Sequence, residues 1–206
     1  MVREMDEGIG WVVEALRETN QLDDTLIIFT SDNGGERFSN NWPLVGGKMD
    51  LTEGGIRVPY IVHWPYGIGG CGQTSMQHCL TMDWTVTILD VAGVRLPQTL
   101  SLDGISMRSV LKDPTHSFHR PMFWRMKYRQ QRAYRNGAWK YLKVEDNEYL
   151  FNLELDARER ANQAQCDPGR LAAMRSDYEA WAVSMPPVPP EAHFDLAYTL
   201  KNMPQR

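Results

Sequence analysis

The chain has 206 residues, a formal net charge of −4 at pH 7, and a hydrophobic content of 42%. This length suits one large domain or two small ones, and the apolar content is ordinary for a globular protein. The slight acidity argues against a broad basic surface for nucleic acid, and no apolar stretch is long enough to span a bilayer. Three cysteines, Cys71, Cys79 and Cys166, do not make a disulfide framework.

The first predicted element is an amphipathic helix. Met5, Ile9, Val12 and Leu16 recur at helical spacing, which predicts a helix from about Val2 to Glu18 that packs on a sheet. The chain opens directly into this helix, and we therefore expect no signal peptide within it.

A short strand follows the helix. Residues 26–29 form a continuous apolar run, which fits a strand buried on both faces. Asp32 and Asn33 come directly after it, at the strand end where ligands gather in open α/β sheets. Their hard oxygen atoms suit Ca²⁺ or Mg²⁺. The alternative interpretation is a simple turn in which both side chains bond their own backbone.

An irregular loop over residues 38–51 is predicted next to this strand end. Lys48 follows two glycines, which permit close approach of the backbone to a ligand. Because long segments without periodicity are more often functional than idle, Lys48 is a candidate for binding an oxyanion beside the cation. We expect Asp32, Glu53 or a bound sulfate to balance its charge. A plain surface lysine is the alternative.

The next elements are a strand over Tyr60–His63 and a helix over residues 82–92 that ends at Gly93. The second half is richer in aromatic and β-branched residues, which predicts a small antiparallel sheet. Its strands are expected at residues 122–128, 131–134, 139–144 and 149–153. Asn136 and Gly137 lie between two of these strands, and this pair is a strong hairpin signal.

The last predicted element is a helix over residues 168–185. Leu171, Met174, Tyr178 and Trp181 lie on one of its faces. Together the elements predict an α/β fold: part of a mixed or parallel sheet with packed helices, followed by a small antiparallel sheet with a C-terminal helix.

Basic residues alternate with apolar ones in the second half. They are Arg125, Lys127, Arg129, Arg132 and Arg135. The interpretation that we prefer is a solvated strand face. The alternative is a rim that attracts anionic, sulfated substrates.

Residues 25–59 read TLIIFTSDNGGERFSNNWPLVGGKMDLTEGGIRVP and resemble the sulfatase family of the alkaline phosphatase superfamily. The motifs FTSDNGGE, GGK and EGGIRVP carry the resemblance, in that order. The later segments RAYRNGAWKYL and YLFNLELDARERANQA resemble the C-terminal subdomain of the family. The resemblance implies that Asp32 and Asn33 ligate a divalent metal, usually calcium with magnesium as the alternative, and that Lys48 contacts sulfate.

The resemblance also implies an activity, the metal-assisted hydrolysis of a sulfate ester of a small molecule or carbohydrate. A phosphatase or phosphodiesterase of the same superfamily stays open, as does a non-catalytic remnant that binds sulfated ligands. Family members are often exported or lysosomal.

The family nucleophile is a formylglycine made from the cysteine of a Cys-x-Pro-Ser-Arg motif that precedes the Asp-Asn pair. Here a Cys-x-Pro-x-Arg match begins at Cys166, after that pair. Its residues also have a structural explanation, because Asp167 can cap a helix and Pro168 suits the first helical turn. We therefore predict no nucleophile in this chain and a match to only the C-terminal part of the family. Residues 1–115 are expected to belong to the catalytic domain and residues 116–206 to the C-terminal subdomain. The N-terminal part of the family fold is a further expected partner.

Overall fold

A computed structural model describes residues 2–36, 38–95, 97 and 99–189 of the chain. The chain forms two compact units, Met1–Asp32 with Val58–Arg120, and Asn33–Arg57 with Pro121–Arg206. The Asn33–Arg57 loop thus groups with the second half, whereas the division at residue 115 into family domains stays a prediction. Among the described residues, no helix combines the length and apolarity needed to cross a membrane.

The first unit contains a two-stranded antiparallel sheet. Strands β1 (Ile27–Thr30) and β2 (Tyr60–His63) pair from Ile27 opposite His63 to Thr30 opposite Tyr60. No β1 residue is buried, and Phe29 is 39% exposed. The prediction of a strand buried on both faces is therefore wrong for the described chain, because this sheet offers β1 one neighbouring strand rather than a position between layers.

Helix α1 spans Val2–Glu18, as predicted. None of its residues is buried, and Trp11 and Val12 are 74% and 63% exposed. The prediction that its apolar face packs on the sheet is wrong for the described residues. Among the described elements, its main contact is with the short 3₁₀ turn Leu22–Asp24, which is too small to cover a helix face of this length.

Helix α3 (Thr81–Val91) ends at Gly93, whose φ of +67° is the left-handed conformation expected after a helix. Its buried residues are Asp83, Trp84 and Thr87. The Asp83 carboxylate accepts hydrogen bonds from the backbone N–H of Ile105 at 2.8 Å and from the guanidinium of Arg120 at 2.6 Å. A buried polar hub therefore sets the orientation of this helix.

The second unit contains a four-stranded antiparallel sheet in the order β3-β4-β5-β6. Its strands are β3 Met122–Arg125, β4 Arg132–Asn136, β5 Trp139–Val144 and β6 Asn147–Asn152. Gly137 and Ala138 close the β4–β5 hairpin, and Gly137 has a φ of +57°. The hairpin predicted from Asn136 and Gly137 is confirmed.

Successive strand residues point to opposite sides of this sheet, and a different segment covers each face. Helix α5 (Pro168–Ser184) packs on one face, and the Asn33–Arg57 loop, which includes the short helix α2 (Glu53–Ile56), packs on the other. The α5 core comprises Tyr134, Tyr141, Leu150, Met174 and Tyr178, and the loop core comprises Leu51, Ala133, Leu142, Phe151 and Leu153. The predicted α/β class, with its antiparallel sheet and C-terminal helix, is confirmed.

Candidate functional site

The strand end that follows β1 carries Asp32 and Asn33, as predicted. Asp32 is exposed and Asn33 is half-buried. The described residues contain no group of three or more His, Cys, Asp or Glu side chains that could share a metal ion. A carboxylate and an amide oxygen fit a hard cation such as Ca²⁺ in chemistry, although such a cation takes ~6–8 oxygen ligands. Metal ligation by this pair therefore stays a prediction.

Glycines bring the two ends of the Asn33–Arg57 loop into direct backbone contact. The Gly34 N–H donates to the Gly55 carbonyl at 2.8 Å. A Cβ on Gly34 would lie 1.7 Å from the Gly54 oxygen, and one on Gly55 would lie 2.0 Å from the Asp50 oxygen. Any larger residue would force these segments apart, so the glycines of the sequence motifs are required by packing.

Lys48 is held at the centre of this loop. Its backbone N–H donates to the Gly35 carbonyl at 3.0 Å, and the Asn41 side chain bonds both the Gly35 N–H at 2.9 Å and the Gly46 carbonyl at 3.0 Å. The Lys48 ammonium lies 3.6 Å from a carboxylate oxygen of Glu36, and the two side chains are 46% and 69% exposed. Lys48 thus combines a fixed backbone with an accessible charge.

Of the three groups expected to balance Lys48, Glu53 is excluded, because its carboxylate pairs with Lys140 instead. Glu53 is 1% exposed, and its Oε1 atom lies 2.9 Å from the Nζ atom of Lys140, which is fully buried. The same Nζ atom lies 2.8 Å from Oε1 of Glu159. The Arg135 guanidinium approaches the other Glu53 oxygen at 3.4 Å. Two acids and two bases therefore form a buried, balanced network.

Glu159 also bonds the backbone of the loop. Its Oε2 atom accepts from the Glu53 N–H at 2.7 Å. Burial raises the pKa of Glu159, and the charge of Lys140 opposes that shift. Sequence reasoning missed Lys140 and Glu159. The available signal was Lys140 itself, because side-chain alternation along β5 places this position toward the core.

A second buried contact holds the same part of the loop. Gln131 is 2% exposed, and its Oε1 atom accepts from the Leu51 N–H at 2.9 Å while its Nε2 atom donates to the Met49 carbonyl at 2.8 Å. Leu51 itself is 3% exposed in the core. The residues just after Lys48 are therefore fixed to the sheet by side chains that lie far away in sequence.

Cys166 stands just before helix α5. It is exposed and stands one residue before Asp167, whose carboxylate accepts from the Arg170 N–H at 3.0 Å and caps α5. Helix α5 covers the sheet face opposite to that covered by Leu51 of the loop. This arrangement supports the structural interpretation of the Cys-x-Pro-x-Arg match.

Comparisons with known proteins agree with the motifs. The sequence model of the family named Sulfatase matches residues 1–94. The chain is 36% identical over 129 residues to N-acetylgalactosamine-6-sulfatase of Homo sapiens, a match that covers 60% of this chain and 24% of that protein. It is 34% identical over 187 residues to the choline-sulfatase of Rhizobium meliloti strain 1021, with 83% and 34% covered.

A solved structure gives the same result. The crystal structure of Ps i-CgsB has a TM-score of 0.78 and 34% sequence identity, and the match covers 88% of this chain and 42% of that one. The chain thus spans roughly a quarter to a third of the length of the two curated relatives, at 24% and 34%. The motifs, the homologues and the fold agree: residues 1–94 match the sulfatase family model, and most of the chain is similar to known sulfatases.

Proposed function

We propose that this chain carries the sulfate-contacting lysine and two metal ligands of a hydrolase that cleaves a sulfate ester. The observation that carries the proposal is the setting of Lys48. Its backbone is fixed against Gly35, while its ammonium pairs loosely with Glu36 at 3.6 Å and stays about half exposed. A cation in this setting is available to an incoming anion.

Lys48 would act on the charge of the sulfate group. A sulfate oxygen can replace the Glu36 carboxylate at the ammonium, because that ion pair is exposed and exposed pairs contribute little. The ammonium then offsets negative charge that shifts toward the transferred group and the leaving oxygen in the transition state. The fixed backbone keeps this charge in place without reorganisation during the reaction.

Asp32 and Asn33 would hold the divalent cation through a carboxylate oxygen and an amide oxygen. Calcium is the expected ion, with magnesium as the alternative. When bound, such an ion polarises sulfate oxygens. The residues before Asp32 contain no Cys-x-Pro-Ser-Arg sequence. The proposal therefore assigns to this chain the binding of the sulfate group, and not the attack on sulfur.

The relatives support a sulfated substrate. Two curated relatives are named for the sulfates of N-acetylgalactosamine and of choline, and Ps i-CgsB was solved with a neocarrahexaose. These names span a carbohydrate and a small quaternary amine, so the substrate class that we propose is a sulfated carbohydrate or small molecule.

The test compares two esters. The natural gene product that carries this segment should hydrolyse para-nitrophenyl sulfate faster than para-nitrophenyl phosphate in the presence of calcium, and EDTA should lower the rate. A preference for phosphate would favour the phosphatase alternative. Sulfate binding without hydrolysis of either ester would contradict the catalytic proposal and favour a binding remnant.

A further inference from the structure

A concave feature lies in the second unit, between the end of the β3–β4 pair and the last turns of α5. It is a cavity of about 950 Å³, within the ~300–1,000 Å³ typical of small-molecule sites. Basic residues line part of it, namely Arg125, Lys127 and Arg132, and apolar residues line another part, namely Ala182, Val183 and Val188. No residue of the Asn33–Arg57 loop is among its lining residues.

The basic part of the cavity contains an unfavourable pairing. Arg125 and Arg132 stand directly opposite each other in the register of β3 and β4, and like charges in that position repel. Among the lining residues, Glu179 is the one acid against three bases. An anion placed between the two guanidinium groups would relieve this repulsion.

Two of these bases contact the segment that follows α5. The Arg125 guanidinium donates to the Pro186 carbonyl at 2.7 Å, and the Lys127 ammonium lies 3.4 Å from the Pro189 carbonyl. Both acceptors are neutral. Because hydrogen bonds between ionised partners are roughly twice as strong as neutral ones, an anionic ligand would compete well with these carbonyls.

Tyr178 supplies a buried polar group in the wall. It is 2% exposed, and its ring is held between Tyr141 and Trp181, with centroid distances of 6.1 Å and 5.5 Å. Burial raises the pKa of Tyr178, while the charges of Arg132 and Arg125 act in the opposite direction. The hydroxyl is therefore neutral at physiological pH and lies within the field of both arginines, where it can donate to an anion.

We propose that this cavity is a second binding site, distinct from the Lys48 loop, for one anionic sugar unit. The guanidinium groups of Arg125 and Arg132 take its sulfate or carboxylate, and the Ala182–Val183 wall takes its C–H face. The excess of basic lining residues favours an anionic ligand. The partly apolar wall and the cavity volume suit a sugar ring. This proposal does not depend on hydrolysis at the Lys48 loop.

The experiment titrates the whole chain with glucose-6-sulfate, glucuronate and glucose by calorimetry. The titration uses the Lys48→Ala background, so that binding at the loop does not contribute. The two anionic sugars should bind and glucose should not, and comparing them tells whether sulfate or carboxylate is preferred. Arg132→Gln should weaken binding about tenfold, equivalent to ~1.4 kcal/mol.

Arg129→Gln is the matched control. Arg129 is a basic residue of the same region outside the cavity lining, and it pairs with Glu145 at 3.6 Å. Its loss should leave binding unchanged, and Lys127→Gln gives a second cavity variant should Arg132→Gln fold poorly. Equal weakening by Arg129→Gln and the cavity variants, or binding of glucose as strong as that of the anions, would overturn the proposal.

Discussion

Lys48 and Lys140 differ in what surrounds their ammonium groups. Lys140 is fully buried between Glu53 and Glu159, and each contact is shorter than 3 Å. Lys48 is 46% exposed and lies 3.6 Å from Glu36. A saturated, buried cation can only support structure, whereas a loosely paired and accessible one can exchange its partner for a ligand.

Replacing Lys48 with alanine in an active gene product should therefore affect turnover far more than stability. We expect kcat/KM for a sulfate ester to fall by about 10²-fold or more, as for the loss of one charge-stabilising group in an active site. The free energy of unfolding should change by less than ~1 kcal/mol, because exposed ion pairs contribute little. Enzyme kinetics and urea unfolding measure the two effects.

Lys112→Ala serves as the control, since Lys112 ends helix α4 (Arg108–Lys112) and is exposed. Its removal should leave kcat/KM unchanged. Unchanged turnover in Lys48→Ala would remove Lys48 from the site.

A separate prediction concerns metal binding at Asp32. With only two ligands from this chain, Ca²⁺ should bind weakly, with a dissociation constant on the order of millimolar, as in the weaker calcium modules. Asp32→Asn should abolish the calorimetric signal because it removes the charged ligand. Asp146→Asn removes the same charge from the exposed β5–β6 turn and should leave the signal intact. Similar binding in both variants would contradict the assignment.

At the scale of elements, the Asn33–Arg57 loop depends on the antiparallel sheet for its conformation. Lys140 on β5 and Gln131 just before β4 fix Glu53, Leu51 and Met49. Glycine contacts then connect the Glu53 end of the loop to Gly34. The backbone that presents Lys48 is therefore set by buried side chains of the sheet and its flanking turn.

Lys140→Met should be strongly destabilising. It removes the ammonium that both buried carboxylates share, while Glu53 keeps its contact with Arg135 at 3.4 Å, and breaking a buried pair costs about 3–5 kcal/mol. Urea unfolding followed by circular dichroism should show this loss. Lys143→Met on the same strand, where the side chain is half-buried, should cost less than ~1 kcal/mol. Equal losses in the two variants would show that the network contributes nothing specific.

At the scale of the whole molecule, the loop proposed to bind sulfate and the Cys-x-Pro-x-Arg match at Cys166 lie in different parts of the chain. Cys166 ends the turn that precedes α5, and α5 and the Lys48 loop cover opposite faces of the sheet.

We predict that the 206-residue chain alone does not turn over sulfate esters. Co-expression with a formylglycine-generating enzyme should leave Cys166 unmodified and the intact mass of the chain unchanged. Cys166 directly precedes Asp167, the cap of helix α5. Intact-mass measurement and an aryl sulfate assay check both statements. Conversion of Cys166 together with activity that Cys166→Ala abolishes would overturn them.

Local signals in the sequence determined several features of the molecule. The bounds of α1, the cap and start of α5, the β4–β5 hairpin and the position of Asp32 after β1 all agree with the predictions. Each rests on periodicity, capping or turn chemistry within a few neighbouring residues. The family resemblance also rests on short motifs, and the comparisons confirm it.

The tertiary structure alone decided which charges meet. Glu53 was expected near Lys48 but pairs with Lys140, 87 residues away in sequence, and the acid beside Lys48 is Glu36. The buried face of α3 is set in the same way, since Asp83 bonds Arg120, 37 residues further along the chain. Periodicity predicts that a helix or strand forms, but the partner of a buried charge depends on which distant segments the fold brings together.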